Sequence, residues 1–180
     1  MIDADAHAPE EVMWEGKYVR ALRRGRWEYA GRTNGVRAVV ILAKDQENIV
    51  LVEQYRVAIG TRSLELPAGL IGDGSGPQED AEGSARRELE EETGFRPGKI
   101  ETLGEFYSSP GMLSESFTLV RASELIRVGP GGGVAGEEEI EVHCIPQQDL
   151  SDFIAEKRRS GIAIDVRMLL LLGSEILALS

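Results

Sequence analysis

The sequence holds one cysteine, Cys144, in 180 residues. An intrachain disulfide is therefore excluded, and the redox compartment is left open. Histidine is almost as scarce: His7 and His143 are the two copies, far apart in the chain. That excludes a centre built from several imidazoles. Any metal must be held by oxygen, which suits Mg²⁺, Mn²⁺ or Ca²⁺. Basic residues are outnumbered, 20 Lys and Arg against 31 Asp and Glu, for a formal net charge of −11. A polyanion binder needs a basic face, so nucleic acid is not the expected partner. A small anionic substrate stays open if a cation bridges it to the protein. Long apolar runs are also missing. The strongest, residues 168–172, is far too short to span a bilayer. The acidic start of the chain lacks the apolar segment of a signal peptide. A soluble cytoplasmic protein with no membrane partner is the expectation.

What is present suffices for one core. Apolar residues make up 42% of the chain, and the length fits one domain with a small appendage. Residues 1–13 read as a loose acidic tail. Residues 17–24 and 27–32 read as two strands joined at Arg24-Gly25-Arg26, a hairpin signal. This N-terminal β segment spans residues 14–34, and the main domain residues 35–180. Residues 36–43 and 49–55, rich in Val and Ile, read as core strands, and residues 63–66 as a short strand. A helix is expected over 77–93, with Pro77 at its start and Gly94 just past its end. Strands follow at 100–107, 116–121 and 139–145, then helices near 147–159 and 164–179. Gly129-Pro130-Gly131-Gly132-Gly133 reads as a mobile loop. Mixed strands and helices point to a layered α/β or α+β fold.

The informative segment is Arg87-Glu88-Leu89-Glu90-Glu91-Glu92-Thr93-Gly94-Phe95. On a helix, Glu88, Glu91 and Glu92 fall within an arc of about 100°. Like charges at this spacing destabilise a helix by about 0.2–0.5 kcal/mol per pair. They also crowd the C-terminal end, where the macrodipole disfavours anions. Ala81, Ala85 and Leu89 supply the buried stripe. A solvated acidic face is the bland explanation. A bound divalent cation would instead turn the penalty into an attraction.

Glu79, Arg87-Glu88-Leu89, Glu91-Glu92 and Gly94-Phe95 together resemble the box of the Nudix hydrolase family. Its pattern is Gly, five residues, Glu, seven residues, Arg-Glu-apolar, one residue, Glu-Glu, one residue, Gly-apolar. One position departs from it, since Asp73 stands where the pattern has glycine. Leu66-Pro67-Ala68-Gly69-Leu70 resembles the family's approach to the box, so a four-residue insertion is placed within residues 72–76. Further likeness to the ADP-ribose pyrophosphatase branch comes from Pro110, 16 residues beyond Gly94, from Gln54-Tyr55-Arg56, and from Gly16-Lys17-Tyr18-Val19 and Trp27-Glu28-Tyr29.

The resemblance implies an α/β/α sandwich around a mixed sheet, with a small N-terminal β segment shared across a homodimer. It implies Mg²⁺, with Mn²⁺ possible, held by Glu88, Glu91, Glu92 and the Ala68 carbonyl. Arg87 would orient the site by pairing with Glu79, and Glu91 also stands among the catalytic carboxylates. The general base would come from a late loop: Glu138, with Glu137 and Glu139 beside it. Tyr18 and Trp27 would stack on adenine, and Arg32 and Arg56 would contact diphosphate oxygens. Ser114 and Glu115 would reach the terminal ribose. The implied reaction is hydrolysis of ADP-ribose to AMP and ribose 5-phosphate. The rivals are another nucleoside diphosphate sugar such as GDP-mannose, a non-catalytic nucleotide sensor, and a plain acidic structural domain.

Overall fold

Strand β4 (Arg37–Asp45) is apolar on both faces because both faces are covered. A computed structural model of the protein describes residues 5–72, 79–134 and 139–171. On one face Val39, Ile41 and Ala43 pack with Ala85 and Leu89 of helix α1 (Ala81–Thr93). On the other, Val40 and Leu42 pack with Leu150 of helix α2 (Leu150–Arg159) and with Met168. Strand β5 (Asn48–Arg56) alternates the same way, with Val50 toward α1 and Ile49 and Leu51 toward α2. Continuous Val and Ile is what a sheet buried between two helices requires. Truncating a fully buried side chain such as Leu89 to Ala would cost about 2–5 kcal/mol.

The main sheet also contains β6 (Thr61–Glu65), β7 (Ala68–Ile71), β8 (Phe95–Tyr107), β9 (Ser116–Arg127), β10 (Glu141–Pro146) and β11 (Ala163–Ile164). Its order is β11-β6-β5-β4-β9-β8, with β10 added on β5 and β7 on β4. The β4–β9 and β6–β11 pairs are parallel and the others antiparallel, so the sheet is mixed. Covered by one helix on each side, it has the α/β/α layering expected, in an α+β fold.

The second sheet is small. Strands β1 (Glu10–Glu15), β2 (Val19–Arg24) and β3 (Trp27–Arg32) form an antiparallel meander. Residues 10–13, expected as loose tail, thus belong to a strand. Opposite charges hold it: Glu10 pairs with Arg24 and Glu11 with Arg23.

Three other expectations shift. α1 starts at Ala81, not at residue 77, because the Asp80 carboxylate caps it by accepting from the Gly83 N–H at 2.8 Å. Ala68–Ile71, not expected as a strand, pairs with Arg37–Val40. Ile164 ends a short strand and Val166–Leu171 form a 3-10 turn, where a helix was expected from 164. There Asp165 accepts from the Arg167 N–H, and its own N–H donates to Leu64 O, which holds the chain to the sheet edge. The rest of that expected helix, residues 172–179, and the inserted loop around Asp73 lie outside the described residues.

Candidate active site

α1 ends where its acidic residues are densest. Gly94 takes φ of 73°, and its N–H caps the Glu90 carbonyl at 2.9 Å. In the last two turns Glu88, Glu91 and Glu92 face the β6–β7 connection. Glu92 is 5% exposed, and its carboxylate accepts from the Ala68 N–H at 3.1 Å. Glu88 lies against Gly69 so closely that a Cβ there would come within 1.9 Å of its carboxyl carbon. Burial pushes the Glu88 carboxyl above its ordinary pKa, against the opposing charge and hydrogen bond of Arg87. Arg87 is the hub of the helix face. It reaches Glu88 at 2.8 Å, Glu91 at 3.2 Å, both oxygens of Glu79 at 3.3 Å and the Leu70 carbonyl at 3.3 Å. Partial burial works against its charge, but Glu79 and Glu88 outweigh it and raise its pKa.

The glutamates form one wall of a cleft of about 1050 Å³. Arginines form the other, each aimed by a carboxylate. Arg56 donates to buried Glu65 through two nitrogens, at 2.8 and 2.6 Å. Arg167 reaches the same Glu65 at 3.4 Å and Asp165 at 2.6 Å, and Arg32 pairs with Glu115. Burial raises the Asp165 pKa, but the hydrogen bonds and charge of Arg167 lower it further, so the net shift is downward. Carboxylates gathered on one wall, facing guanidinium groups fixed on the other, suit a cation-bridged polyphosphate.

Of the residues expected from sequence, Arg32, Arg56, Ala68, Arg87, Glu88, Glu91, Glu92 and Glu115 all line this cleft. Tyr18 and Trp27 do not. Tyr18, in the turn before β2, and Trp27, at the start of β3, are 64% and 60% exposed. Ser114 does not line it either; its N–H donates to the Ala30 carbonyl at 2.9 Å and ties its loop to β3. Glu139 is exposed and outside the lining. Glu137 and Glu138 lie outside the described residues.

Glu65, Asp165 and Arg167 were missed by sequence reasoning. Glu65 precedes the quoted Leu66-Pro67 motif, and the other two sat inside an expected helix. No local pattern marks them, because their meeting depends on the parallel β6–β11 pairing.

A second carboxylate–imidazole group, Glu53, Glu141 and His143, has ligand atoms within 4.8 Å of one another. It is a poor rival for a cation. Glu53 already carries Arg62 at 2.6 Å and Lys157 at 2.7 Å, so its charge is taken.

The family profile for the NUDIX domain matches residues 31–163. The chain belongs to the Nudix family. The GDP-mannose pyrophosphatase of Cronobacter sakazakii is 34% identical over 88% of this chain and 79% of its own length. The ADP-ribose pyrophosphatase of Bacillus subtilis is also 34% identical, over 62% of this chain and 59% of its own. A solved ADP compounds hydrolase shares the fold of this Nudix hydrolase, with a TM-score of 0.64 and 21% identity. The match covers 82% of this chain and 80% of the other. Among the described residues no helix is long and apolar enough to cross a membrane.

Proposed function

We propose that this Nudix enzyme hydrolyses the diphosphate bond of a nucleoside diphosphate sugar, with ADP-ribose as substrate and AMP and ribose 5-phosphate as products. The observation that carries this reading is the single cleft in which Glu88, Glu91 and Glu92 face Arg32, Arg56 and Arg167.

The donor set fits a hard divalent cation, Mg²⁺ or Mn²⁺. Glu92 is buried and Glu88 half-buried, and Arg87 pairs with Glu79, Glu88 and Glu91 together. Close packing at Gly69 brings the β6–β7 backbone against the Glu88 carboxylate. We assign the ligands as Glu88, Glu91, Glu92 and the Ala68 carbonyl. A cation bound there would neutralise diphosphate oxygens and lower the pKa of the attacking water.

The protein's own groups do the rest. Arg56 and Arg32, with Arg167, would grip the diphosphate from the opposite wall. Arg87 pairs with Glu79, Glu88 and Glu91 and so fixes their positions on the helix face. Glu115 fixes Arg32 and lines the cleft, within reach of a ribose hydroxyl, whereas Ser114 would act only by holding its loop to β3. A carboxylate of Glu137, Glu138 or Glu139 would take the proton from water, as the general base of such a reaction must.

Tyr18 and Trp27 would stack on adenine only from a second subunit, since neither lines the cleft of its own chain. Val12, Met13, Trp14, Val19 and Trp27 on the small sheet, and Tyr18 in its first turn, are all exposed. That is an unusual apolar surface for a monomer, and it supports a homodimer. A GDP-mannose-type substrate is the second reading, favoured by the wider match to the Cronobacter sakazakii enzyme.

The test is product release with Mg²⁺ on ADP-ribose, GDP-mannose and UDP-glucose, with an EDTA control. Turnover highest on ADP-ribose supports the proposal. Highest turnover on another substrate keeps the cleft chemistry and discards the adenine pocket. Trp27→Ala should then raise KM for ADP-ribose with kcat little changed; an unmoved KM would remove the stacking role.

A further inference from the structure

The glycine-rich stretch 129–133, expected as a mobile loop, is fastened to the last turn of α1. A helix ends with carbonyls that lack partners inside it. Here the Glu90 carbonyl accepts from Gly94, the Glu91 carbonyl from Gly133 at 3.1 Å, and the Glu92 carbonyl from Gly132 at 2.8 Å. The Gly94 carbonyl accepts from Val128 at 2.8 Å and Gly129 at 3.2 Å. The residues that carry two candidate ligands are therefore the ones whose backbone is held from outside the helix.

Only glycine fits this arrangement. Gly131, Gly132 and Gly133 have φ of 70°, 106° and 80°, where other L-residues are strained. A Cβ on Gly131 would lie 2.4 Å from the Thr93 carbonyl carbon and 2.8 Å from the Gly94 nitrogen. Neither atom belongs to a flexible side chain, so the helix end or the glycine segment must move.

The need is electrostatic. Glu91 and Glu92 place like charges at the negative end of the helix dipole, which favours fraying of that turn. Two N–H dipoles aimed at its carbonyls oppose both effects. The same segment continues into the cleft at Val134, and Gly132 O accepts from the Ile140 N–H at 3.2 Å, next to the candidate base Glu139.

We infer that Gly131, Gly132 and Gly133 are positioning residues for the cation. By capping α1 they hold Glu91 and Glu92 in ligand geometry, and they tie the chain just before β10, beside Glu139, to the same helix end. This rests on the metal assignment proposed above, and the test separates the two.

Mn²⁺ affinity is measured directly by electron paramagnetic resonance on the full chain, without substrate, for wild type, Gly131→Ala, Gly132→Ala and Gly129→Ala. Gly129 has open space around it and no left-handed φ, so it serves as the control within the same loop. Gly131→Ala should weaken Mn²⁺ binding at least tenfold at a temperature where circular dichroism shows it folded. Gly132→Ala, strained in φ but sterically free, should weaken it less, and it carries the test if Gly131→Ala fails to fold. Gly129→Ala should match wild type. Mn²⁺ affinity within twofold of wild type in the folded Gly131→Ala or Gly132→Ala protein, with only the melting temperature lowered, overturns the inference and leaves the metal assignment standing. No Mn²⁺ binding by wild type overturns both.

Discussion

The Ala68 N–H donates to the Glu92 carboxylate at 3.1 Å and so joins the β6–β7 crossing to the end of the glutamate helix. The next residue, Gly69, lies against Glu88 with no room for a side chain. Two neighbouring backbone units thus fix two neighbouring carboxylates, and this arrangement makes the cleft sensitive to small changes.

Gly69→Ala is the smallest of these. Its Cβ would come within 1.9 Å of the Glu88 carboxyl carbon, so Glu88 must leave its position. The fold should survive, because the residue is half-buried at a strand facing the cleft. Turnover should fall at least about 100-fold, as expected when a misplacement of about 1 Å disrupts a catalytic arrangement. Steady-state kinetics beside a thermal melt would check this, and near-normal activity would count against Glu88 as a ligand.

Glu92→Gln removes a charge and keeps the shape. The remaining amide oxygen can still accept from Ala68, so the melting temperature should change little. Metal-dependent turnover should be lost, with kcat/KM down by a factor of about 100 or more, the scale of losing one stabilising contact of about 2.7–4 kcal/mol. Full activity in this variant would refute the metal assignment.

Glu65→Gln should free Arg56 and loosen Arg167, which Asp165 still holds. Glu65 is 2% exposed and takes both Arg56 and Arg167. Breaking a buried pair from one side costs about 3–5 kcal/mol of stability. Arg56 and Arg167 are partly exposed to the cleft, so the lower end of that range is expected. KM should rise about tenfold or more as the guanidinium groups lose their aim. Denaturant melts and KM would report the two effects separately, and an unchanged KM would make the pair structural alone.

His143 sets a pH dependence of stability. Burial pushes its pKa below the ordinary 6.5, aided by the charge of Lys157 and opposed by Glu141 and Glu53. Below pH 6.5 the unfolded chain takes up a proton that the folded state resists. Stability is therefore full above 6.5 and falls as pH drops toward the lower folded value. Glu53 and Asp165 act in the same direction, but below their ordinary values of 4.5 and 3.8. His143→Gln should flatten the slope of the melting temperature between about pH 5 and 6.5. An unaltered slope there would remove His143 as its source.

The sequence by itself determined the chemistry of one wall and the order of most elements. Spacing alone puts Glu88, Glu91 and Glu92 on one helix face, because that depends only on the helical repeat. The continuous Val and Ile of β4 and β5 and the stop at Gly94 are local in the same sense. Their positions in the structure follow the pattern to within a few residues. Tertiary structure decided the rest. Glu65 meets Arg167 because β11 lies parallel to β6, a contact about 100 residues apart that no local signal encodes. The glycine stretch reads as flexible in sequence, since glycine is permissive. Docked on the end of α1, that permissiveness becomes a close fit: Gly132 and Gly133 reach the carbonyls of Glu92 and Glu91, and a Cβ on Gly131 would run into the Thr93 carbonyl and the Gly94 nitrogen.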